Sequence, residues 1–166
     1  MARSRAVIVT FVVTVLAGSS AAGWWLGRTA HGSTTATVVR TLDGDTIEVR
    51  LRSGATDTVR LLGVDTPETH HPTKPVQCFG PEAAAYTRRR LLGRQVELED
   101  DVESHDVYGR RLAYVLVDGT RFDDELLRLG YARLLVIPPN ERHARALLDA
   151  ELDARHRRRG LWAACA

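Results

Sequence analysis

A chain of 166 residues is long enough for one compact domain and a short appendage, and 44% hydrophobic with 27% charged residues excludes a disordered polyelectrolyte. The formal net charge is +2, and Arg3 and Arg5 are the only charged side chains before Gly23, so taking them away brings the rest to zero. The body of the chain is not basic overall, and any nucleic-acid binding has to come from local patches.

The segment "MARSRAVIVTFVVTVLAGSSAAGWWLGR" has a charged start, an uncharged run from Ala6 to Gly27 and small residues at "GSSAA". That pattern is a secretory signal over 1–22, with Ser20-Ala21-Ala22 before the cut. Residues 6–26 are also long enough for an uncleaved membrane anchor, with Trp24-Trp25 suited to an interface. Either reading places the rest of the chain outside the cytoplasm, secreted or held at the membrane. Residues 23–34 are small and polar and read as a linker, and 35–166 form the folded domain.

Strands come first. "TATVVRTL" (35–42) is β-branched, and "TIEVRLR" (46–52) alternates Ile47, Val49 and Leu51 against Glu48, Arg50 and Arg52. "DTVRLLGV" (57–64) is apolar on both faces. A polar loop with three prolines follows, from Thr66 to Gly80. Pro81 opens a helix that Gly93 closes. "RQVELED" and "RRLAYVLV" are a fourth and fifth strand. "DDELLRLGYA" is a short helix capped by Asp123 or Asp124 and ended by Gly130. A last helix covers about 140–159, with Leu147, Leu148 and Leu152 as its apolar stripe. Five strands with one helix between the third and fourth predict an α+β fold, a small OB-type β-barrel with three helices.

The chemistry collects around the third strand. Arg60 stands inside an apolar run, where a guanidinium needs an anion. That anion is either a neighbouring carboxylate or a phosphate, which suits the planar fork of arginine. Asp65, Thr66 and Glu68 follow in "DTPET", and "DGDT" brings Asp43 and Asp45 to a strand junction. Carboxylates gathered at one barrel end repel one another, and a hard cation such as Ca²⁺ relieves that repulsion. Taken singly, "DGD" reads as a turn and "DTPET" as a capped loop. Arg110, after Gly109 in "HDVYGRRLAY", becomes a second cation for a phosphate placed by Arg60. Two cysteines, Cys78 and Cys165, without Cys/His metal spacing read as one disulfide in an exported chain, with two unrelated thiols as the other reading.

"DGDT", "RLLGVDTPET", "GPEA", "YGRRLAY", "LLRLGYA" and "GLW" stand in the order and approximate spacing of the thermonuclease, or staphylococcal nuclease-like, family. The chain resembles that family from about Thr35 to Trp162. The resemblance implies a five-stranded OB barrel with three helices and a Ca²⁺-dependent phosphodiesterase acting on DNA and RNA, expected here as a monomer. It puts Asp45, Asp65 and the Thr66 carbonyl at the calcium positions and Asp43 behind them. Glu68 falls at the position of the general base, and Arg60 and Arg110 at the phosphate grip. Tyr108 and Lys74 fall at substrate-contacting positions. It further implies departure of the 5′-oxygen and 3′-phosphate products. The chain departs from the family's best-known member in three ways. No aromatic residue stands in "RLLVIPPNER", Val107 replaces a lysine, and Cys78 and Cys165 are additional. A degenerate barrel that binds nucleic acid with weak catalysis is the alternative, and the full set of acidic and arginine positions argues against it.

Overall fold

The computed structural model describes residues 32–69 and 75–165. The signal or anchor segment, most of the linker and Lys74 lie outside the described residues. Among the described residues, no helix is long and apolar enough to cross a membrane.

Strand β1 (Ser33–Thr41) pairs antiparallel with β2 (Thr46–Leu51) and with β5 (Gln95–Glu99). Strand β2 pairs with β3 (Thr56–Leu61), and β5 with β6 (Arg111–Val117). Parallel pairing of β3 with β6, Val59 opposite Arg111 and Leu61 opposite Ala113, closes the ring. These five strands make a closed barrel of OB type, so no long sheet edge is left open. The alternation in β2 orients as expected, because Ile47 and Val49 are fully buried while Arg50 is exposed. Val38, Val59, Leu61, Val96, Leu98 and Ala113 fill the same core.

The apolar run 57–64 does not form one strand. It bends after Leu61 and continues as β4 (Gly63–Asp65), which pairs with β8 (Arg133–Leu135). Gly63 makes the bend possible. Its φ is +75°, and a Cβ there would meet the Leu147 side chain at 2.2 Å. Beyond the bend Asp65 pairs with Arg133 of β8 and not with a barrel strand.

Helix α1 (Gly80–Leu91) carries Pro81 in its first turn, and its end at Gly93 agrees with the sequence. Strand β7 (Thr120–Arg121) extends the β6 hairpin, and α2 (Phe122–Leu129) follows with Gly130 as its left-handed C-cap. The expected cap is wrong. Arg121 stands at the N-cap, and Asp123 is buried, accepting the Val115 N–H at 3.0 Å. The last helix is shorter than expected, as α3 (Ala144–His156), with a four-residue α4 (Leu161–Ala164) after it. Its buried stripe is also different: Leu147, Ala150, Glu151 and Ala154 face inward, while Leu148 and Leu152 are 38% and 49% exposed. Glu151 turns inward because its Oε1 accepts the Leu134 N–H of β8 at 3.0 Å. Ala150 and Ala154 on the same face are fully buried.

Candidate active site

Two segments separated in sequence are knitted together at one end of the barrel. Asp45 does most of the joining. Its Oδ2 accepts the Thr66 N–H at 2.8 Å and the Thr66 hydroxyl at 2.9 Å, and its Oδ1 accepts the Thr46 hydroxyl at 3.0 Å. The Asp45 carbonyl accepts the Leu61 N–H at 2.9 Å, so the β1–β2 turn is also tied to the end of β3. Thr87, buried on α1, donates to the Gly44 carbonyl at 2.6 Å. Asp43 accepts from the Gly44 N–H at 2.9 Å and from the Thr69 hydroxyl at 3.0 Å. The "DGD" turn and the "DTPET" loop therefore form one unit, as the sequence suggested.

The electrostatics of this unit are those of crowded carboxylates. Burial, and then a hydrogen bond with Glu68, push Asp43 up to about 6. Burial, and then the charge of Asp45, hold Asp65 above the ordinary carboxylate range, with Arg60 opposing and Glu68 adding to the shift. Among the described residues, no three Asp, Glu, His or Cys side chains converge as a metal site. The donors assigned from the resemblance, however, are two carboxylates, Asp45 and Asp65, and the Thr66 carbonyl. Their hard oxygens, and the burial and crowding that hold Asp65 above the ordinary carboxylate range, fit a divalent cation such as Ca²⁺.

Arg60 lies between this unit and a cavity. Its side chain is 14% exposed, and its Nη2 stands 3.5 Å from Asp45 and 3.2 Å from Asp65. Its Nη1 donates to the carbonyls of Leu61 and Val64, both at 2.8 Å, across the β3–β4 bend. Both readings of the buried arginine are therefore met in part. It has carboxylate partners, and it also lines a cavity of about 600 Å³.

Arg110 and Tyr108 line the same cavity. They sit on a turn that Asp106 organises. Asp106 Oδ1 accepts the N–H groups of Tyr108 and Arg110 at 3.0 and 2.9 Å, while its Oδ2 takes the Arg110 Nε and Nη2, both at 2.7 Å. Burial acts against these bonds, but together they hold Asp106 below the ordinary carboxylate range. The Arg110 guanidinium stands 5.5 Å from the centre of the exposed Tyr108 ring. Leu112, Leu135 and Ile137 supply apolar walls, so aliphatic side chains face the cavity from the loop that lacks aromatics.

The structure brings together Asp43, Asp45, Asp65, Thr66 and Glu68 at one place, and Arg60, Arg110 and Tyr108 around the adjoining cavity. Lys74 lies outside the described residues. Cys78 and Cys165 are bonded, with Cα atoms 5.9 Å apart. Sequence reasoning missed Asp106, Thr87 and Gln77. Asp106 carried a usable signal, an aspartate two residues before "YG", which is how such side chains cap a turn. Gln77 carried none. Its side-chain oxygen accepts the Glu68 N–H across the loop.

Residues 58–164 match the family described as staphylococcal nuclease homologue. The thermonuclease of Staphylococcus intermedius is 40% identical over 125 residues, 75% of this chain and 74% of that protein. The thermonuclease of Staphylococcus hyicus is 39% identical over 125 residues, 75% of this chain and 73% of that protein. Endonuclease YncB of Bacillus subtilis is 39% identical over 128 residues, 76% of this chain and 60% of that protein.

Proposed function

The chain belongs to the staphylococcal nuclease homologue family, and on that premise we propose that it is a Ca²⁺-dependent nuclease hydrolysing phosphodiester bonds of DNA and RNA. The observation that carries this reading is the position of Arg60. It lines one cavity with Arg110 and, on its other side, meets Asp45 and Asp65.

A phosphodiester resists attack because its own charge repels nucleophiles. Arg60 and Arg110 bind its non-bridging oxygens and hold charge opposite the five-coordinate transition state. Glu68 takes a proton from the water whose oxygen bonds to phosphorus, the P–O5′ bond breaks, and the 5′-oxygen takes a proton from solvent and leaves as a 5′-hydroxyl, giving a 3′-phosphate. Asp45, Asp65 and the Thr66 carbonyl would hold Ca²⁺, with Asp43 behind them, and the ion when bound supplies further positive charge at the phosphate. Tyr108 and Lys74 contact the substrate beside the scissile group. The protein acts as a monomer outside the cytoplasm, released by cleavage after residue 22 or anchored by residues 6–26.

Hydrolysis of DNA by the full chain with Ca²⁺, and again with chelator, tests the reading. Cleavage that chelator abolishes supports it. Binding of DNA without cleavage under both conditions identifies a binding module instead. Asp45→Ala and Asp65→Ala should each weaken Ca²⁺ binding in calorimetry, and unchanged affinity in both moves the ion elsewhere.

A further inference from the structure

We propose that Gln77 is a positioning residue for Glu68, and that the Cys78–Cys165 bridge keeps Gln77 in place, so that the C-terminal tail controls turnover. The inference rests on the role given to Glu68 above.

Both polar atoms of the Glu68 backbone are held by one residue. The Glu68 N–H donates to Gln77 Oε1 at 3.1 Å, and the Glu68 carbonyl accepts the Gln77 N–H at 3.0 Å. A two-point attachment fixes the rotation of the Glu68 backbone as well as its position, and the side chain inherits that orientation. A general base works only within hydrogen-bond reach of its proton, so this orientation bears on rate. The start of α1 closes against the same place. The Gly80 N–H donates to the Gln77 carbonyl at 3.0 Å, and a Cβ at Gly80 would stand 2.9 Å from the Pro67 carbonyl oxygen and 3.1 Å from that of Glu68.

Gln77 is followed directly by Cys78, and Cys78 is bonded to Cys165 at the end of α4. The α4 side of the bridge is well fixed. Leu161 is buried and its N–H donates to the Gly130 carbonyl at 2.9 Å, while Cys165 N–H donates to Leu161 at 3.0 Å. The guanidiniums of Arg133 and Arg155 both stack on the Trp162 ring, 4.6 and 4.3 Å from its centre. Asp65, Gln77, Arg133 and both cysteines line one cleft of about 300 Å³, so the bridge stands at the wall of the carboxylate unit. A covalent bond to this fixed helix limits how far Gln77 can move, and with it Glu68.

The test measures DNA hydrolysis with Ca²⁺ by the full chain, in Gln77→Met, Gln77→Glu and the double variant Cys78→Ser/Cys165→Ser, each with and without Glu68→Gln. Gln77→Met keeps length but loses the acceptor, and kcat should fall about tenfold to a hundredfold with KM nearly unchanged. Gln77→Glu restores an acceptor oxygen and should restore most of kcat. The double serine variant, assayed well below its melting temperature, should lower kcat in the same sense. In the Glu68→Gln background, none of these changes should lower the rate further. Amide exchange at Glu68 should quicken in Gln77→Met and in the double serine variant, whereas a bridge that only staples the tail leaves it unmoved. Full turnover in Gln77→Met and in the double serine variant, beside an inactive Glu68→Gln, overturns this inference alone. Full turnover in Glu68→Gln overturns the role of Glu68 and this inference with it.

Discussion

Arg60 and Arg110 face the same cavity from two very different mountings. Arg60 projects from the barrel wall, where two backbone carbonyls and two aspartates surround it. Arg110 projects from a turn closed by one local carboxylate, Asp106, four residues before it. The first mounting makes the arginine part of the fold, because it pins the β3–β4 bend that carries Asp65 into the site. The second makes it a detachable part of a surface turn. Equal roles toward a phosphate should therefore come with unequal effects on stability.

The largest expected effect comes from removing either arginine. Arg60→Ala and Arg110→Ala should each lower turnover roughly a hundredfold or more. They should separate in thermal melts. Arg60→Ala takes the donor from two carbonyls and the cation from beside a nearly buried Asp45, and should cost about 2–4 kcal/mol. Arg110→Ala should cost less than about 1 kcal/mol, as for other partly exposed ion pairs. Equal melting temperatures for the two variants would erase the distinction between their mountings.

Asp106→Asn sharpens the comparison by keeping an acceptor for the turn while removing the charge that aims Arg110. Turnover should fall about tenfold, since a guanidinium with a neutral partner is held less firmly. Steady-state kinetics showing wild-type kcat would mean that Arg110 needs no aim from Asp106.

Carboxylates repeat the contrast. Asp106 is paired and held low, so its contribution to stability is present above the ordinary carboxylate range and lost as pH falls through its depressed value. Asp123 is fully buried, and burial, against its bond from the Val115 N–H, pushes it up to about 8. The folded state then keeps a proton that the unfolded chain releases. That contribution is whole below the ordinary value of 3.8 and is lost as pH rises through about 8. Melting temperature should therefore fall between about pH 4 and about pH 8, and Asp123→Asn should flatten the fall. Parallel curves for wild type and variant would contradict this.

The smallest effects belong to exposed arginines with no place at the cavity. Arg88→Ala and Arg158→Ala should leave kcat within about twofold and change chiefly affinity and its salt dependence. Effects as large as those at Arg60 and Arg110 would dissolve the two-arginine grip.

Much of the barrel was legible because its strands carry period-two patterns that only one orientation buries, as Ile47 and Val49 illustrate. Arg60 was legible as an anomaly, a charge within an apolar run. The bend that splits this run was hidden, because it depends on Gly63 meeting Leu147 from a distant helix. The α3 stripe was misread for a related reason. Leucines outrank alanine and glutamate on any hydropathy pattern, yet Glu151 is buried to satisfy the Leu134 N–H. Asp123 looked like a cap because its type favours caps, and a strand N–H claimed it instead. Within the site, the meeting of "DGD" with "DTPET" was legible, and the supports around it were not. Thr87 and Gln77 act through side-chain to backbone bonds across 43 and 9 positions, which no local pattern encodes.

In the proposed reaction this carboxylate unit and its two arginines hydrolyse phosphodiester bonds with Glu68 as the base. Its most direct test is turnover of DNA by Glu68→Gln, in the presence of Ca²⁺, beside wild type of matched melting temperature. The variant should fold and still bind DNA and Ca²⁺ but turn over at least about a hundredfold more slowly. Near-wild-type turnover by the folded variant would contradict it.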